Sequence, residues 1–138
     1  MEILRAISKE TMMTLSSAIH RKSYGEEEGK RMRDIFEFSI NNFDQNINLR
    51  QVAGIANMTP NAFCRYFKQR TRKTYVGFLN EFRVAHACKL LLNQDLNVTE
   101  VCYQSGFVNL SNFNRKFKNI TNHTPTQYQK VHFQEHIH

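Results

Sequence analysis

Residues 59–68 read TPNAFCRYFK and residues 108–118 read VNLSNFNRKFK, so one short aromatic and basic pattern is written twice. In each copy two phenylalanines lie four residues apart, and a lysine follows the second one. Side chains four residues apart share one face of an α-helix, so each copy predicts a short helix with an aromatic core face.

A second helix is predicted just before each copy. Asn48 with Gln51, and Asn97 with Glu100, have the spacing of a capping box. Two short helices separated by a turn of a few residues are typical of a helix-turn-helix unit. Pairs of matching residues lie 49 positions apart before the turn and 50 after it, which one inserted residue explains.

The repeat predicts an all-α protein of two helix-turn-helix subdomains joined by a long helix, with about seven helices plus an N-terminal one. We expect a linker helix over 1–25 and a double helix-turn-helix domain over 26–138. Within that domain we expect subdomain one over 28–73, the connecting helix over 74–92 and subdomain two over 96–134.

Charge is divided unevenly along the chain. The net charge is +7 over 138 residues; residues 1–58 hold eight basic and eight acidic residues, and residues 59–138 hold eleven and four. A basic second part favours a polyanionic partner, and nucleic acid is the first candidate.

Composition and motifs exclude several other classes of protein. No apolar run could cross a bilayer, no signal peptide is visible, and the three scattered cysteines favour reduced thiols in the cytoplasm. No Ser/His/Asp set, phosphate-binding glycine loop or HExxH motif is present. We therefore expect no enzyme, no cofactor, no metal and no membrane partner.

Two helix-turn-helix units on one chain could read two successive major grooves of double-stranded DNA. A connecting helix of about 19 residues spans roughly 28 Å at 1.5 Å per residue. That length is close to the ~34 Å between successive major-groove faces.

The polar face of each repeated helix supplies the candidate contacts. Arg can pair with guanine and Asn with adenine, whereas helix ends and N-caps are better placed for phosphates. The outward residues are Asn61, Ala62, Cys64 and Arg65 in the first unit, and Ser111, Asn112, Asn114 and Arg115 in the second. The predicted phosphate contacts are Thr59, Lys68, Arg70, Asn109, Lys116 and Lys118.

From about residue 30 to 130 the chain resembles the DNA-binding domain of the arabinose-regulator (AraC/XylS) family of bacterial transcription factors. The matching stretches are INLRQVAGIANMTPNAFCRYFK, FLNEFRVAHACKLL and VTEVCYQSGFVNLSNFNRKFKNITNHTPTQY. The resemblance implies a seven-helix domain that binds promoter DNA, often in an activator that touches RNA polymerase. By motif it implies base reading by Asn61, Cys64, Arg65, Ser111, Asn112 and Arg115, to which we add Asn114.

The chain departs from the family in two respects. Members usually have Gly after each second helix, where this chain has Arg72 and Asn122, and a left-handed conformation costs Arg about 1 kcal/mol. Many members also carry an N-terminal ligand-sensing domain, whose strand pattern is missing here. We interpret the chain as part of a longer effector-binding regulator, with a stand-alone short protein as the alternative.

A different class of function stays open at this point. A helical interaction module with a basic face for an acidic protein would bind DNA weakly and without sequence preference. A reader of DNA would instead discriminate between sequences by several kcal/mol. RNA is a poorer fit for two helix-turn-helix units, because its major groove is too narrow for them.

Overall fold

The computed structural model describes residues 26–137, and in this part of the chain there are seven helices and no strand. The predicted linker helix over 1–25 lies outside the described residues. None of the helices described is long and apolar enough to span a bilayer. The helices are α1 (Glu26–Asn42), α2 (Leu49–Ile55), α3 (Pro60–Thr71), α4 (Tyr75–Leu90), α5 (Val98–Gln104), α6 (Leu110–Thr121) and α7 (Pro125–Ile137).

Both predicted capping boxes form. The Asn48 side chain accepts from the Gln51 amide at 2.9 Å, and the Gln51 side chain accepts from the Asn48 amide at 3.0 Å. Asn97 and Glu100 repeat this exchange at 2.8 and 3.1 Å. Because each pair satisfies two backbone donors, α2 and α5 begin at fixed residues.

The repeated helices α3 and α6 also end alike. The Thr71 hydroxyl donates to the Phe67 carbonyl at 2.8 Å, and the next residue, Arg72, is left-handed with φ 62°. In the second unit the Thr121 hydroxyl donates to the Phe117 carbonyl at 2.8 Å, and Asn122 is left-handed with φ 65°. The chain therefore leaves both units in the same direction, although neither residue is glycine.

The connecting helix α4 lies within the predicted 74–92. Thr74 is its N-cap, with the side chain accepting from the Gly77 amide at 3.0 Å, and Leu91 is its C-cap. The 16 residues of α4 span about 24 Å at 1.5 Å per residue. With its two caps the helix lies within the predicted span, and helix ends are defined only to one or two residues.

Aromatic rings fill two separate cores. In the first, Phe67 meets the ring of Tyr75 edge-on at 5.2 Å, and the Tyr75 hydroxyl lies 2.6 Å from that of Ser39. In the second, Phe117 meets Tyr128 edge-on at 5.5 Å. The first core packs the first unit against α1 and the first part of α4, and the second packs the second unit against the remainder of α4 and Tyr128 of α7.

Replacing Arg72 by Gly should raise the free energy of unfolding by about 0.5–1 kcal/mol, since Gly adopts the left-handed conformation without a side-chain penalty. Asn122→Gly is the matched control, and its gain should be smaller because Asn tolerates this conformation. Urea denaturation of both variants measures the difference. A loss of stability in Arg72→Gly would show that the arginine side chain stabilises the turn.

Candidate nucleic-acid interface

The outward face of α3 is a narrow stripe of exposed side chains. Asn61, Cys64, Arg65 and Lys68 follow the i, i+3, i+4, i+7 spacing of one helical face, and all four are exposed. Phe63, on the opposite side, is fully buried. Burial of the aromatic face therefore directs this stripe away from the protein.

The outward face of α6 repeats the stripe 50 residues later. Ser111, Asn114, Arg115 and Lys118 are exposed at the equivalent positions. Asn112 is half-buried at the edge of the stripe, and its side-chain oxygen accepts from Nη2 of Arg115 at 3.0 Å. This bond links two of the predicted base-reading side chains and orients both.

The N-caps of the two helices are exposed and already bonded to their own helices. The Thr59 hydroxyl accepts from the Ala62 amide at 3.3 Å, and the Asn109 side chain accepts from the Asn112 amide at 2.8 Å. Each N-cap lies two residues before the first residue of its stripe, where a phosphate would meet the helix N-terminus.

Two of the predicted phosphate contacts lie away from the stripes. Nη2 of Arg70 donates to both carboxylate oxygens of Glu28, at 2.9 and 3.2 Å, and the guanidinium lies 4.8 Å from the centre of the Tyr66 ring. Lys116 is half-buried at the position that Tyr66 occupies in the first unit. The lysines within the stripes are Lys68 and Lys118.

Both helices that carry the stripes are basic. Neither α3 nor α6 contains an acidic residue, and each contains three basic ones. A polyanion could approach either helix without meeting a carboxylate on it.

Cys64 differs from the other two cysteines in its surroundings. It is exposed in the α3 stripe, whereas Cys88 and Cys102 are buried, and all three are thiols. Burial raises the pKa of the Cys88 thiol to about 12, so that group stays protonated and acts as core. Across residues 26–137 no group of three His, Cys, Asp or Glu side chains is placed to hold a metal.

One exposed residue beside the second stripe was missed in the sequence. The backbone bonds Met58 N to Ala53 O (2.9 Å) and Phe107 N to Cys102 O (3.2 Å) are equivalent. The residue inserted after them in the second unit is therefore Val108, which is 77% exposed just before α6. The change of spacing from 49 to 50 located the insertion only to the turn.

The likeness to known proteins agrees with this geometry. Residues 52–131 match a helix-turn-helix domain family. The chain is 33% identical over 101 residues to the uncharacterized HTH-type transcriptional regulator YdeC of Bacillus subtilis (strain 168), covering 73% of this chain and 35% of that protein. It is 26% identical over 131 residues to XylDLEGF operon transcriptional activator 2 of Pseudomonas putida, covering 93% and 83%.

Solved structures share the fold. The DNA-binding domain of AdpA, in complex with a target DNA, superposes with a TM-score of 0.70 at 21% identity, covering 75% of this chain and 93% of that one. A probable AraC family transcriptional regulator from Rhodopseudomonas palustris CGA009 superposes with a TM-score of 0.68 at 19% identity, covering 74% and 96%. The chain spans 35% of YdeC and 54% of a second curated regulator, from Pseudoalteromonas carrageenovora.

Proposed function

The chain belongs to the AraC-type helix-turn-helix family, and we propose that it reads promoter DNA by placing α3 and α6 in two successive major grooves. The observation that carries this proposal is the pair of equivalent exposed stripes, 50 residues apart, on two helices without acidic residues. Structural likeness at low identity supports the fold, and the stripes support the function.

Base reading is assigned to the stripes and their edges. Arg65 and Arg115 would each pair with guanine O6 and N7, and Asn61 and Asn114 have the side chain that pairs with adenine. The bond from Arg115 to Asn112 holds the guanidinium in one orientation before DNA arrives, which lowers the entropy lost on binding. Cys64, Ser111 and Asn112 complete the proposed base-reading set.

We assign phosphate contacts to residues at the two ends of each stripe. Lys68 and Lys118 project near the ends of α3 and α6, and Thr59 and Asn109 lie at their starts. These groups would fix the register of each helix in its groove without reading sequence. Arg70 has Glu28 as a partner, so we propose that it stabilises the fold and does not bind phosphate.

The proposal extends to the complete regulator of which this chain is a part. We propose a cytoplasmic bacterial regulator without enzymatic activity, in which an effector-binding domain controls the part described here and RNA polymerase is a further contact. The division into subdomains over 28–73 and 96–134 and a connecting helix over 74–92 belongs to the same proposal. Longer relatives such as YdeC support a further domain.

Arg65→Ala and Arg115→Ala should each weaken specific binding by ~1–3 kcal/mol and relax the preference at one base position. Binding to a set of duplexes with every single-base change in a selected site measures both effects. Gln69→Ala and Asn119→Ala are matched controls, since these side chains are exposed on the same helices beside the stripes. An equal loss for all sequences would place the arginines on phosphates.

Lys68→Ala and Lys118→Ala should weaken binding to every sequence alike and lower the salt slope by about 1 each. Titrations of one specific and one scrambled duplex across a range of salt concentrations measure this.

Arg70→Ala is the informative contrast to these lysine variants. It should leave the salt slope unchanged and lower the free energy of unfolding by up to about 1 kcal/mol, because its partly exposed ion pair with Glu28 is lost. A reduced slope in Arg70→Ala would show that the arginine leaves Glu28 for the DNA.

A further inference from the structure

The two hydrophobic cores divide at a single position of the connecting helix. Phe82 is the last α4 residue in the first core, and Val84 is the first in the second. Between them lies Arg83, whose side chain belongs to neither core. Neither core extends past this point of α4, so the relative angle of the two units depends on the contacts around Arg83.

Arg83 binds the backbone of the first unit. Its Nε donates to the Phe43 carbonyl at 2.7 Å, and its Nη2 donates to the Gln45 carbonyl at 3.0 Å. Both acceptors lie just after α1, about forty residues earlier in the chain. Hydrogen bonds from a charged donor are stronger than neutral ones, so this loop is held firmly against α4.

Aromatic packing holds the same loop from both sides of Arg83. The Phe43 ring lies edge-on to Phe82, with centroids 4.7 Å apart, and edge-on to His86 at 4.9 Å. The Phe43 ring therefore contacts α4 on both sides of Arg83, whose Nε donates to the Phe43 carbonyl oxygen.

The turn of the second unit closes on this same carbonyl. A Cβ built on Gly106 would lie 2.4 Å from the Phe43 oxygen, 2.9 Å from Nε of Arg83 and 3.0 Å from Cα of Asp44. Gly106 also has φ +95°, a backbone conformation that residues with a side chain rarely adopt. Glycine is thus required here both by its backbone and by the approach of the first unit.

We propose that Arg83, with Gly106 against it, is a positioning residue that sets the angle and separation of α3 and α6 and so selects the spacing between the two half-sites. The inference rests on the proposed function. If both helices bind one duplex, binding of the first helix favours binding of the second only when the protein holds the second at the correct distance and rotation from the first.

Half-site spacing is a sensitive measure of this geometry. One inserted base pair moves the second half-site by ~3.4 Å and rotates it by about 35°. A rigid junction should therefore bind one half-site spacing with much higher affinity than its neighbours. A loosened junction should bind several spacings with similar affinity.

The test uses the full chain and duplexes in which the two selected half-sites are separated by one base pair fewer, the selected number, or one or two more. The unaltered chain should lose about tenfold or more in affinity at each wrong spacing, which is about the cost of one mismatched base pair. Arg83→Met keeps the side-chain length and removes both donors; its affinities across the series should differ by less than about threefold, and be lower at the optimum.

Three further variants separate positioning from general damage. Gly106→Ala should broaden or shift the optimum, because its methyl group meets the Phe43 carbonyl. Arg83→Lys, which retains a charged donor, should lie between the unaltered chain and Arg83→Met. Lys89→Met removes an exposed charge from the same helix and should keep the original spacing profile.

The outcomes distinguish the inference from the function on which it rests. An Arg83→Met chain that is weaker at every spacing but keeps the sharp optimum would overturn the positioning role alone. An unaltered chain without any sequence-specific site would overturn the proposed function and the inference with it. Thermal unfolding of each variant confirms that binding is compared between folded proteins.

Discussion

The burial of one phenylalanine pair in each repeated helix is the constraint on which the rest of the structure depends. Phe63 and Phe67, and in the second unit Phe113 and Phe117, are completely buried. Once that face is fixed against the core, helical periodicity leaves one direction for the opposite face. The exposed stripes that we propose as the reading surface are therefore a consequence of aromatic packing, and the same scaffold can carry different polar residues.

The two units use this freedom differently. Equivalent stripe positions hold Asn61 and Ser111, and Cys64 and Asn114, whereas Arg65 has an arginine as its counterpart. Two helices with equivalent aromatic core faces thus present different side chains at matched positions. On the proposed function, a single chain would read two unlike blocks of bases, and its site would lack the two-fold symmetry that a homodimer requires.

Local features of this fold were predictable from sequence, because they depend on residues three or four apart. The capping boxes at Asn48 and Asn97 and the aromatic faces follow from such spacings, and the structure confirms them. The exposed direction of Arg65 and Arg115 followed from the same periodicity, while their role in reading bases stays a prediction. Contacts between distant segments were not predictable: Glu28 lies 42 residues from Arg70, and Arg83 lies 40 from Phe43.

Selection of duplexes from a random pool by this chain, at two salt concentrations, tests the central claim most directly. Two reading helices predict enriched sites with two dissimilar blocks about one helical turn apart, retained at the higher salt. Enrichment of one block would mean that only one helix reads bases. Binding without enrichment, lost at the higher salt, would contradict the account and favour a basic surface that recognises an acidic protein.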